Sequence, residues 1–102
     1  MATLGLEDKL RIEVKGISIL EARKRRLNSR EGVLVTKVNP QGPAGRAGLE
    51  PGDVIYQMNS EAIRGLKDYN RILEQIQLGQ EAILLVRDWR TGEMDYLTIL
   101  VN

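Results

Sequence analysis

The chain has 102 residues, 42% of them hydrophobic and 28% charged, with 15 basic side chains against 14 acidic ones. That is one domain's worth of chain with one modest core, and its near-neutral charge argues against nucleic acid as a partner. It contains no histidine and no cysteine, which excludes a Ser-His-Asp triad, a zinc site with His or Cys ligands and any disulfide framework, so neither metal nor cofactor is expected.

No stretch approaches the roughly 20 apolar residues that cross a bilayer, so no membrane insertion is expected. Met1 to Asp8 lacks the basic-then-apolar order of a signal peptide. Residues 1–9 are read as an extension, ahead of a single domain over 10–102 that is expected to be a piece of a longer protein.

From Leu10 the residues alternate. Leu10, Ile12 and Val14 share one face and Arg11, Glu13 and Lys15 the other, which predicts a strand ended by Gly16. Ile17-Ser18-Ile19-Leu20 reads as a second extended piece. Glu21 to Glu31 is a basic loop with a short helical turn around Ala22 to Leu27, and Arg23-Lys24-Arg25-Arg26 reads as a solvated face. Gly32 to Val38 is β-branched and predicts a buried strand. Pro43 to Gly48 fits one short helix, with Pro at its start and Gly just past its end. Pro51-Gly52 is a tight turn into a strand over Val54 to Asn59. The clear helix spans Leu66 to Gln77, its apolar arc formed by Leu66, Tyr69, Ile72, Leu73 and Ile76, with Asn70 and Gln77 at one edge. Ala82 to Arg87 and Glu93 to Val101 form a closing hairpin, with Trp89 packing over its turn. The expected class is α+β: a five- or six-stranded, partly open antiparallel barrel or sandwich, capped by one long and one short helix.

Three blocks carry a resemblance: Gly32-Val33-Leu34-Val35, then Gly42-Pro43-Ala44-Gly45-Arg46-Ala47-Gly48-Leu49, then Pro51-Gly52-Asp53-Val54-Ile55 with Asn59 after it. In this order and spacing they resemble the PDZ domain of bacterial Do/HtrA-type (Deg) serine proteases, in the bacterial permuted strand order. Gly42 stands where that family often has Ser, Ser60 where Gly is usual, and Lys15 where an apolar residue is commoner. The last departure looks more like the second PDZ domain of a two-PDZ protease.

The resemblance implies a non-catalytic, peptide-binding module of a periplasmic protease. It would bind C-termini or extended apolar segments of unfolded proteins by strand addition and would regulate proteolysis. The carboxylate-binding loop would be Val14-Lys15-Gly16-Ile17 and the edge strand Ile17-Ser18-Ile19-Leu20. Leu66, Asn70 and Leu73 would wall the groove from the helix, and Lys15 would attract a carboxylate. The other partners implied are neighbouring protease and PDZ domains of a homo-oligomeric parent. A second reading stays open: an assembly domain that binds no free peptide.

Overall fold

The computed structural model describes residues 8–101. In chain order the elements are β1 (Ile12–Gly16), α1 (Ile19–Lys24), β2 (Val33–Val38), α2 (Pro43–Arg46), β3 (Val54–Met58), β4 (Glu61–Ala62), α3 (Leu66–Gln75), β5 (Glu81–Arg87) and β6 (Met94–Leu100). All pairings are antiparallel, in the order β1-β2-β3-β5-β6, with β4 attached to β3. The expected open antiparallel sheet with capping helices is what forms.

Period-2 alternation sorts the apolar residues between the two faces of the sheet. On β2, Val33 and Val35 enter the main core with Leu10, Ile12, Ile55, Met58, Tyr69, Ile72, Leu73 and Ile76. Leu34, between them, turns to the opposite face and packs with Ile17, Ala22 and Val54. One face of the sheet is therefore covered by α3, and the other by α1 and the turn before it.

The segment Ile17 to Leu20 is not a strand. Ser18 adopts an extended conformation and its hydroxyl accepts from Glu21 N–H at 3.0 Å, which starts α1 at Ile19. Ser18-Ile19-Leu20-Glu21 has the Ser-x-x-Glu spacing of a helix start, and this local signal outweighs the weak alternation of the two isoleucines. Ile19 and Leu20 consequently face solvent at 56% and 65% exposure.

α3 stops at Gln75, two residues short of the predicted Gln77. Lys9 accounts for part of this: its Nζ donates to Leu73 O, Glu74 O and Ile76 O at 3.2, 3.1 and 2.7 Å. A cation on the final carbonyls of a helix satisfies acceptors that lack an intrahelical partner and opposes the negative end of the dipole. Lys9 and Asp8, both read as extension, are thus tied to α3.

Gly42 has a local reason. It caps α2 at φ −81° and ψ 173°, a conformation open to any residue, yet a Cβ there would lie 2.8 Å from Arg11 Cβ. Arg11 itself sits at φ +60°, which an L side chain adopts at a cost of about 1 kcal/mol. The two positions are coupled. Gly42→Ser is expected to destabilise by about 1–2 kcal/mol through crowding against the Arg11 stem. On an Arg11→Gly background the same change should be neutral or stabilising by a few tenths, because only the cap remains to be gained. Urea unfolding of the four-member cycle measures this; additive effects would contradict the coupling.

Candidate functional site

β1 pairs with β2 on one side only, in the register Ile12↔Val38, Glu13↔Lys37, Val14↔Val35, Lys15↔Leu34 and Gly16↔Val33, with a bulge between Glu13 and Val14. Its other edge lies beside α3, since Ile12 and Val14 pack in the same core as Tyr69, Ile72 and Leu73. An edge strand beside a helix offers backbone donors and acceptors to an incoming chain, with a side-chain wall opposite.

At the start of this edge the backbone turns over Asp8 to Arg11. Arg11 N–H donates to Asp8 O at 2.8 Å, and the positive φ of Arg11 directs the chain into β1. The carboxylate of Asp8 sits inside the turn. Its Oδ1 accepts from Leu10 N–H at 2.9 Å and from Ile12 N–H at 3.4 Å. Its Oδ2 accepts from the Tyr69 hydroxyl at 2.6 Å. Tyr69 is fully buried in α3. Burial pushes the Asp8 carboxyl above the ordinary aspartate value, against the lowering effect of these hydrogen bonds. Tyr69 is held far above the usual phenol range by burial and by the neighbouring Asp8 charge.

The residues expected to form the site divide into two groups. Lys15 and Gly16 end β1; both are exposed, and Lys15 Nζ pairs with Glu21 Oε2 at 3.4 Å. Leu66, Asn70 and Leu73 share α3, with Leu66 40% exposed, Asn70 exposed and Leu73 buried. Lys15 and Gly16 thus lie on β1, and the other three lie on the helix that packs beside it, where Leu73 shares the core with Ile12 and Val14. Ile17, Ser18 and Ile19 do not join them: Ile17 is buried on the opposite face of the sheet, Ser18 caps α1 and Ile19 points to solvent. The edge strand is Ile12–Gly16, five residues earlier than the expected Ile17–Leu20.

At Asp8 to Ile12 two backbone N–H groups converge on a carboxylate. The sequence signal was the Leu10/Ile12 alternation with an aspartate two residues ahead of it. It was obscured because the conformationally special position carries Arg11 rather than glycine. At the other end of β1, a cleft of about 450 Å³ is lined by Gly16, Ile17, Arg30, Glu31, Arg64 and Gly65. A Cβ on Gly16 or Gly65 would meet nothing within 4 Å, so this end is open.

An open antiparallel sheet whose edge strand runs beside a helix, with the Gly-Pro-Ala helix and Pro-Gly-Asp turn between successive strands, is the PDZ arrangement. The chain belongs to the PDZ domain family, whose model matches residues 34–88. It is 30% identical over 88 residues to a probable periplasmic serine endoprotease, DegP-like, of Pseudomonas fulva (strain 12-X), covering 86% of this chain and 18% of that protein. The protein of the same name from Brucella suis biovar 1 (strain 1330) is 31% identical over 75 residues, 74% of this chain and 14% of its own length. The chain thus spans less than a fifth of these relatives. Among solved structures, the HtrA-type protease AlgW with decapeptide superposes at a TM-score of 0.78 with 30% identity, over 91% of this chain and 28% of that one. The HtrA3 PDZ domain bound to a phage-derived ligand, FGRWV, superposes at 0.72 with 20% identity, over 87% of this chain and 79% of that one, a likeness of fold. The family match begins one residue into β2, so β1 and its preceding loop lie outside it.

Proposed function

We propose that this chain is the strand-binding module of a longer periplasmic serine endoprotease, and that it takes an extended apolar segment of an unfolded protein along the free edge of β1. The single observation that carries the reading is that β1 has one strand partner and presents its other edge to α3. In strand addition, backbone hydrogen bonds supply the affinity and side chains select. Lys15 and Gly16 would lie along the guest backbone, and Leu66, Asn70 and Leu73 would form the far wall. The relatives' names support the periplasmic protease assignment, and the peptide-bearing AlgW structure supports a peptide as guest. Proteolysis itself would belong to another part of the parent, since this chain has no histidine to act as a triad base. Regulation of that proteolysis by occupancy of the groove would follow from the same reading; assembly of the parent through neighbouring domains would rest on the family resemblance alone.

A specific observation favours the second reading, an assembly domain without a free guest: Leu10 and Ile12 are 0% and 1% exposed, so neither side chain offers apolar surface to a guest. Titrating the 15N-labelled chain with an apolar peptide blocked at both ends separates the two. Strand binding predicts saturable shifts over Val14 to Gly16 and Leu66 to Leu73, with micromolar affinity, about −8 kcal/mol at 1 μM. Ile19 to Lys24 should stay still. An absence of saturable shifts at millimolar peptide would leave the assembly reading.

A further inference from the structure

In an antiparallel edge, alternate residues turn both N–H and C=O away from the existing partner, and these groups form the rungs for a new strand. Arg11 C=O accepts from Asn39 N–H across towards β2 at 3.1 Å. Ile12, the next residue, therefore faces its N–H and C=O outward and is the first rung open to a guest. Asp8 already fills that rung. Its backbone N–H donates to Ile12 O at 3.3 Å while its carboxylate takes the N–H groups of Ile12 and Leu10. A backbone donor to the strand carbonyl and a carboxylate on two converging N–H groups are what the last residue of a guest would bring to such a loop. Tyr69, from the helix wall, donates to the second carboxylate oxygen and fixes the group.

We infer that Asp8 holds the place of a guest's terminal residue, so that this groove selects chain segments lacking a free C-terminal carboxylate. The inference rests on the strand-addition reading of the β1 edge. A free carboxylate arriving at Leu10 and Ile12 would have to displace Asp8 and then lie against its charge. Lys9, the adjacent cation, gives its three donors to α3 carbonyls. What remains of the edge is Val14 to Gly16, which leads to the open cleft bounded by Gly16 and Gly65. A guest enters there as an internal stretch of chain, and its terminus plays no part.

The test compares two peptides of one apolar sequence, N-acetylated, one with a free C-terminal acid and one amidated. Each is titrated at pH 7 into the whole chain and into Asp8→Ala and Asp8→Asn. For the native chain the amide should bind at least as tightly as the acid. Asp8→Ala vacates two N–H groups and removes a charge, so preference should swing to the acid by about tenfold or more. Asp8→Asn keeps the shape without the charge and should fall between; it serves alone if the alanine variant does not fold. A native chain that prefers the acid, with the preference unchanged in the variants, overturns the inference. If no protein binds either peptide, strand addition fails, and Asp8's place is judged on the amide protons of Leu10 and Ile12. Upfield movement of both in the variants supports it, and invariance overturns it.

Discussion

Tyr69→Ala is expected to destabilise the domain by about 3–5 kcal/mol, the range for emptying a fully buried large side chain. Tyr69 is 0% exposed and packs in the main core with Leu10, Ile12, Ile72 and Leu73. A domain of this size has about 5–15 kcal/mol in all, so the substitution removes a large share. Tyr69→Phe separates the two roles of the side chain. It keeps the ring but leaves Asp8 Oδ2 without its hydroxyl donor, a loss of about 1–2 kcal/mol for a bond to a partly buried charged acceptor. Because that bond lowers the Asp8 carboxyl, the phenylalanine variant should also titrate Asp8 at a higher pH than the native chain. Urea unfolding gives the energies, and carboxyl 13C shifts give the titration. Equal destabilisation by Ala and Phe would mean that the hydroxyl, rather than the ring, dominates.

Most of the scaffold could be read from residue pattern because the signals there are local and redundant. Pro43 and Gly48 bracket α2, and Gly48 and Gly52 take φ +102° and +99° as a helix end and a tight turn require. The apolar arc Tyr69, Ile72, Leu73, Ile76 is buried as its spacing demands. The site was harder, for a physical reason. Its register depends on which glycine-like position opens the edge strand, and there the chain uses Arg11 at φ +60°. Gly16, the nearest glycine, ends β1 instead, and none of its neighbours needs it to lack a Cβ. A five-residue displacement followed, which leaves Ile17, Ser18 and Ile19 off the edge strand, while Leu66, Asn70 and Leu73 lie on the helix their spacing predicts. Asp8 was missed because its role is tertiary: nothing in a lone aspartate foretells a bond to a tyrosine 61 residues away.

A second acid with a tertiary role ties a turn to the closing hairpin, and there the expected effect is of comparable size. Asp53, 4% exposed, accepts from Glu50 N–H at 2.9 Å and Trp89 N–H at 3.1 Å, joining the Pro51-Gly52 turn to the β5–β6 hairpin. Trp89 packs against Gly52, where a Cβ would lie 3.1 Å from Trp89 Cβ, and its indole N–H donates to Glu50 Oε1 at 3.0 Å. Asp53→Ala strands two partly buried donors and should cost about 3 kcal/mol. Asp53→Asn retains one acceptor and should cost about half as much. Trp89, the only tryptophan, should report the loosened hairpin by its fluorescence. Burial, aided by the charges of Asp88 and Glu50, pushes the Asp53 carboxyl above its ordinary value despite the two N–H donors. A raised acid binds its proton more readily in the folded state. Its contribution to stability is therefore fully present below the unfolded aspartate value and is lost as pH rises through the folded one. The stability of the native chain relative to Asp53→Asn should accordingly decline as pH rises from about 3 towards neutrality. Urea midpoints at several pH values measure that difference; one that grows with pH would mean that the N–H donors outweigh burial at Asp53.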